Sequence, residues 1–228
     1  MQQLKVREEE IYQILRKAIF NTELLPGTQL IETSLAEAFG VSRTPIRSVL
    51  QRLKYDSLIK IIPNRGAFVY CPDPKEAEQI FFVRQILEPE AAALAAIHAT
   101  TLQLEFIKNC LDQELEFYNQ NEPKKALPII EQFRMKIIEA SGNPYLFDSL
   151  RKLISLTHII LTFYDVSDDH CFDVYNEHVL LYEAISAKNS KEAKKLAHQH
   201  IPMIIKDIDF SKKFTSSLSI NQIIEKYT

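Results

Sequence analysis

Two groups of residues have types and spacings that can do chemistry. Arg43, Arg47 and Gln51 recur at i, i+4 and i+8, with Thr44 beside the first of them. In a helix this spacing lines side chains up on one face. A guanidinium on such a face can donate two hydrogen bonds to a guanine edge or clamp a phosphate. Arg43 and Thr44, at the helix start, are placed to reach base edges. Asn64-Arg65-Gly66 adds a second basic point, suited to a minor groove or to backbone phosphate, with glycine allowing close approach. The other group is the histidines, among them His158, His170, His178 and His200. Imidazoles serve as metal ligands, proton carriers or plain core hydrogen-bonding groups. Other chemistries have no foothold. There is no Gly-rich phosphate loop and no nucleophile elbow, and Cys71, Cys110 and Cys171 are odd in number and far apart. The chain does not read as an enzyme.

The composition indicates what must hold these residues in place. Of 228 residues, 46% are hydrophobic and 25% charged, with 4 glycines and no tryptophan. That balance favours helices over a barrel or sandwich, and the length favours two domains. The charge is unevenly divided. Residues 1–72 hold 10 Lys/Arg against 7 Asp/Glu, whereas residues 73–228 hold 17 against 23. A mildly basic front and an acidic back suggest different partners. Apolar runs stop well short of about 20 residues and the first ten lack a signal-peptide core, so a cytoplasmic protein is expected, with no membrane contact.

Periodicity predicts a helix over 7–22, a turn at Leu25-Pro26-Gly27-Thr28, a short helix over 34–39, and a third helix capped by Ser42. Ile46, Val49, Leu50 and Leu53 form the inward face of that third helix, opposite the arginines. A β-hairpin over 58–62 and 67–70 follows, with Asn64 and Arg65 at its tip. Three helices and a hairpin outline a winged helix-turn-helix. Cys71-Pro72-Asp73-Pro74 reads as a linker, giving domains at 1–71 and 72–228. Beyond it, helices are predicted near 74–98, 101–120, 126–141, 143–165, 171–187, 190–210 and 217–226, an antiparallel bundle. The expected fold class is mainly α, a winged helix-turn-helix followed by this bundle.

Leu30 to Val69, above all Leu35-Ala36-Glu37-Ala38-Phe39-Gly40-Val41-Ser42-Arg43-Thr44-Pro45-Ile46-Arg47, resembles the DNA-binding domain of the GntR family of bacterial transcription regulators. Asn64-Arg65-Gly66-Ala67-Phe68-Val69 is similar to that family's wing. The resemblance implies DNA contacts from Arg43, Thr44, Arg47, Asn64, Arg65 and Gly66. Thr33 stands where some relatives have another contacting arginine. The remainder resembles the FadR-type subgroup with the all-helical FCD ligand-binding domain. The pieces that carry this are Val83 to Glu88, Phe133 to Asn143, Glu177-His178 and Ala184-Ile185.

Many FCD domains hold a divalent metal between an Asp and a His four apart and two later histidines. The later pair is present as His178 and His200, but Ile130 and Arg134 occupy the first two positions. Two neutral imidazoles facing a guanidinium make a poor dication site. No metal is therefore expected. If zinc, nickel or manganese does bind, His178 and His200 are the fallback ligands, with His158, Asp165 or His170 as possible additions. Arg134 can instead hold a carboxylate directly, with His178 and His200 as further donors. The resulting expectation is a homodimeric operator-binding regulator, a repressor, modulated by a small carboxylate metabolite. The alternatives are a DNA-binding protein whose bundle only dimerises, a metal-dependent sensor using the remaining histidines, and a bundle whose histidines are plain core residues.

Overall fold

The structure, a computed structural model, describes residues 2–166, 171–206, 208–211 and 217–227. The chain divides into two compact units, residues 1–72 with 212–228, and residues 73–211.

In the first unit, α1 (Gln2–Phe20), α2 (Glu32–Ala38) and α3 (Arg43–Tyr55) enclose Ile11, Leu15, Ile19, Leu35, Ile46, Leu50 and Leu53, all buried. Apolar residues at helical spacing give each helix one buried stripe. Tyr12 ties α1 to the end of α3, donating from its hydroxyl to Asp56 Oδ2 at 2.7 Å. Pro45 is tolerated in the first turn of α3, where amides lack intrahelical acceptors. The Ser42 side chain makes no capping bond, contrary to the sequence expectation. β2 (Ile59–Ile62) and β3 (Gly66–Val69) form the wing hairpin, in register Ile62 to Gly66 and Ile59 to Val69. Asn64 and Gly66 take φ of 61° and 100°, values that asparagine tolerates and glycine adopts freely. A third strand, β1 (Gln29–Leu30), pairs with the other edge of β3, so the sheet order is β1-β3-β2. The sequence reading placed a turn at 25–28 and no strand after it.

The second unit is the bundle of α4 (Pro74–His98), α5 (Thr101–Asn119), α6 (Pro123–Ala140), α7 (Pro144–Phe163), α8 (Cys171–Ser186) and α9 (Ser190–Lys206). Pro74, Pro123 and Pro144 each open a helix. Asp73 and Asn143 cap two of these starts, and Thr100 with Gln103 forms a capping box on α5. Ala92, Ala95 and Ala96 on α4 and Ala193 and Ala197 on α9 are buried in the same cluster. Small residues let backbones approach closely, and Phe133, Ile137, Leu111 and Ile185 fill the rest of this core. Pro89 and Pro202 lie inside α4 and α9 rather than at their ends.

Two further sequence expectations need correction. The helix near 190–210 stops at Lys206, because Ile208–Asp209 (β5) pairs antiparallel with Asp165–Val166 (β4). The last helix, α10 (Ile220–Tyr227), belongs to the winged unit and not to the 72–228 domain. It lies against α1 and α2 with Ile223 fully buried. The reason is chemical as well as apolar. Glu23 is 9% exposed, and its carboxylate accepts from Lys226 Nζ at 2.5 Å and Tyr227 Oη at 3.1 Å. Its carbonyl accepts from the Leu218 amide at 2.8 Å, and Ser217 Oγ accepts from the Leu25 amide. Among the described residues, no helix is long and apolar enough to cross a membrane.

Candidate nucleic-acid interface and buried charge network

On α3 the inward face is buried while Arg43, Thr44, Arg47 and Gln51 are exposed. Arg43, Arg47 and Gln51 share a surface depression of about 390 Å³ with Gln29, Glu32, Thr33 and Gly66. The depression thus brings together the outer face of α3, the start of α2 and the base of the wing. Thr44 does not line it, and neither do Asn64 and Arg65, which are exposed at the hairpin tip. The wing's position is fixed by Gln29, whose Nε2 donates to the Arg65 carbonyl at 2.8 Å. Gly66 admits that amide: a Cβ there would sit 3.3 Å from Gln29 Nε2.

Sequence reasoning missed Glu32. Its Oε2 accepts from Arg43 Nη2 and from Arg47 Nε, both at 2.8 Å. The hydrogen bond from Arg43, then that from Arg47, holds this carboxyl below its ordinary range. Eleven and fifteen residues separate the partners, so no helical period announces the contact.

In the bundle, six helices deliver one buried network. Arg84 is fully buried; its Nε donates to Glu88 one turn on, and Nη1 donates to Thr157 Oγ1 at 2.8 Å. Arg134 donates from Nη1 to Glu88 Oε2 at 3.5 Å. Its Nη2 meets Nε2 of His178 at 3.2 Å and Nε2 of His200. A guanidinium only donates, so both Nε2 atoms are acceptors and the ring hydrogens sit on Nδ1. From there His178 donates to Glu114, 3.0 Å from each oxygen, and His200 donates to Glu177. Arg134, His178 and His200 are therefore brought together as expected. The histidines, however, point lone pairs at the guanidinium and are not free donors to a ligand.

Burial first, and then Arg84, pushes the Arg134 guanidinium down to about 10, still cationic at neutral pH. Burial, followed by the nearby Arg134, holds the His200 imidazole well below its usual value. The Arg84 Nη2 atom is buried without a partner. A cavity of about 20 Å³ adjoins Glu88, Phe133, Arg134, Leu181 and Ala197, room for roughly one water.

These residues do not fit a divalent metal. The position on which both Nε2 atoms converge holds a cation already, and Ile130 sits in an apolar cluster with Tyr118 and Ala126. Among the described residues, no three His, Cys, Asp or Glu gather as metal ligands. His158 is engaged elsewhere, with Nδ1 2.5 Å from Glu131 Oε2. His170 lies outside the described residues.

A winged helix-turn-helix with an arginine-bearing third helix, joined to an all-helical unit, defines a two-domain DNA-binding transcription regulator. Residues 7–69 match the bacterial regulatory proteins of the gntR family, and residues 79–202 match the FCD domain. The chain belongs to the GntR family and carries an FCD domain; it is a transcription regulator and not an enzyme. It is 29% identical over 192 residues to the HTH-type transcriptional regulator YdhC of Bacillus subtilis, covering 83% of this chain and 86% of that one. It is 23% identical over 202 residues to the transcriptional repressor RspR of Escherichia coli, covering 88% of each. Among solved structures it is similar to McbR/YncC of E. coli, with a TM-score of 0.72 at 21% identity over 99% of this chain and 98% of the other. A GntR regulator from Rhodococcus sp. RHA1 gives a TM-score of 0.73 at 20% identity over 88% and 96%.

Proposed function

We propose that this regulator acts in the cytoplasm as a homodimeric repressor, its operator affinity adjusted by a small carboxylate-bearing metabolite. The observation that carries the DNA reading is α3: Arg43 and Arg47 are exposed on one face while the opposite face is buried. In this reading Arg43, Thr44 and Arg47 meet base edges and phosphates in a major groove. Asn64, Arg65 and Gly66 hold the adjacent backbone or minor groove. One such domain offers little contact for specific affinity, whereas two read an inverted repeat together. The repressor named among the relatives supports the sign of regulation. Arg43→Ala and Arg47→Ala should each weaken operator binding by about 1–3 kcal/mol with the protein still folded and dimeric. Arg65→Ala should weaken it less and make the salt dependence shallower, as expected of a phosphate contact. Fluorescence anisotropy at several salt concentrations separates these outcomes. Unchanged affinity in both helix variants would remove α3 from the interface, and a monomer by light scattering, still monomeric on DNA, would remove the dimer.

The effector reading rests on Arg84, Glu88 and Arg134. Two guanidiniums meet one carboxylate directly there, and Arg84 Nη2 is buried without a partner, while Glu114 and Glu177 stand one imidazole away. A ligand carboxylate is the complement of the Arg134 guanidinium, which lines the adjoining cavity of about 20 Å³. A panel of mono- and dicarboxylic acids should raise the melting temperature, because a ligand that prefers the folded state stabilises it. Chelator should leave that temperature unchanged. Arg134→Ala should abolish the response to acids. Stoichiometric metal in the purified protein would end this reading, and a panel without effect would favour a bundle that serves only dimerisation.

A further inference from the structure

We propose that Glu32 determines how sharply this regulator discriminates its operator from other DNA, acting as an internal counterion that positions Arg43 and Arg47. The inference rests on α3 being the reading helix and adds a residue that touches the two arginines. A single oxygen, Oε2, accepts from both guanidiniums at 2.8 Å. The arginine side chains are otherwise more than half exposed, so nothing apolar fixes their rotamers. Glu32 is the first residue of α2 and is itself fixed, because Leu35 and Ala36 one turn on are buried. Exposed ion pairs contribute little to stability. The consequence of this one falls on recognition.

Two effects follow from the geometry. Glu32 takes one N–H from each guanidinium and leaves the remaining donors in a defined direction, ready for acceptors at matching positions on base edges. It also partly neutralises both cations before any DNA arrives. Non-specific binding depends on arginines neutralising phosphates and releasing counterions, so a resident carboxylate weakens it. A phosphate at any position must compete with Glu32. A correct sequence supplies acceptors to donors that Glu32 has already aimed. Thr33, the next residue, is exposed and uncharged, so it does not offset this negative charge.

The test uses the full-length protein with Glu32→Gln and Glu32→Ala. The probes are a duplex selected by the wild type from random sequence and a scrambled duplex of equal length. Affinity for the scrambled duplex should rise about 3- to 10-fold in both variants, with a steeper salt slope by roughly 0.9 for each phosphate newly engaged. The ratio of the two affinities should fall about tenfold. An unchanged ratio would overturn the proposal. So would a parallel loss of affinity for both duplexes with a lower melting temperature, which is what a purely structural ion pair gives. Arg43→Ala distinguishes this failure from that of the broader reading. If Arg43→Ala destroys preference for the selected duplex while Glu32→Gln keeps the wild-type ratio, only the counterion role falls.

Discussion

Replacing Arg134 with alanine should destabilise the bundle by about 3–5 kcal/mol, the usual cost of removing one partner from a buried charged network. The substitution leaves Glu88 with a single guanidinium and takes away the donor shared by His178 and His200. Arg134→Lys should recover only part of the loss, since an ammonium has neither the planar fork nor the reach. Urea denaturation followed by circular dichroism gives the values. The same residue shapes the pH response. His200 stays neutral in the folded chain because burial, then Arg134, keeps its pKa well down, whereas in the unfolded chain it takes up a proton near pH 6.5. The unfolded state therefore binds more protons as pH falls below that value, and stability declines by up to about 1.4 kcal/mol per pH unit. Removing the neighbouring cation brings the folded imidazole nearer its ordinary value, so this decline should be shallower in Arg134→Ala. An Arg134→Ala protein as stable as wild type, with the same pH slope, would show that the network contributes nothing.

The second large effect should come from the end of the chain. Ile223→Asp places a carboxylate where the side chain is fully buried, and the helix can avoid that only by leaving α1 and α2. Glu23 then loses Lys226 and Tyr227. Hydrogen exchange should show lost protection in α1 and α2 and in the amides of Leu25 and Leu218, with α5 to α7 unchanged. Operator affinity should fall with it, since α2 packs on α3. Wild-type protection in α1 and α2 would mean that α10 contributes nothing to the unit it touches.

Much of this was legible in the sequence, because it is written in local periods. The two faces of α3 follow from apolar and basic residues at helical spacing, and α4 spans 74–98 as the pattern after the proline-containing linker predicts. Arg84 and Glu88, one turn apart on a single helix, pair as helical spacing allows. What was not legible depends on partners with no fixed spacing. Glu114 meets His178 across 64 residues, and a buried carboxylate on α5 carries no local mark of its imidazole. β1 is two residues long, too short for alternation to register. The pattern of α10 shows that it has an apolar face but not which surface covers it. The resemblance placed Arg134 beside the histidines. Only the geometry shows which atoms donate and which accept.

The return of the C-terminal segment to the first unit also orders events at the ribosome. The bundle is a guest inserted into a host domain whose first 72 residues emerge early and whose last helix emerges only after residues 73–211 have been made. Chains fold from the N-terminus as they are synthesised. A nascent or prematurely ended chain therefore presents its reading helix with the α10 seat empty and Glu23 without Lys226 and Tyr227. The α10 piece of the DNA-binding unit is therefore made only after the whole helical unit. A fragment that stops within the helical unit lacks the helix that seats on α1 and α2.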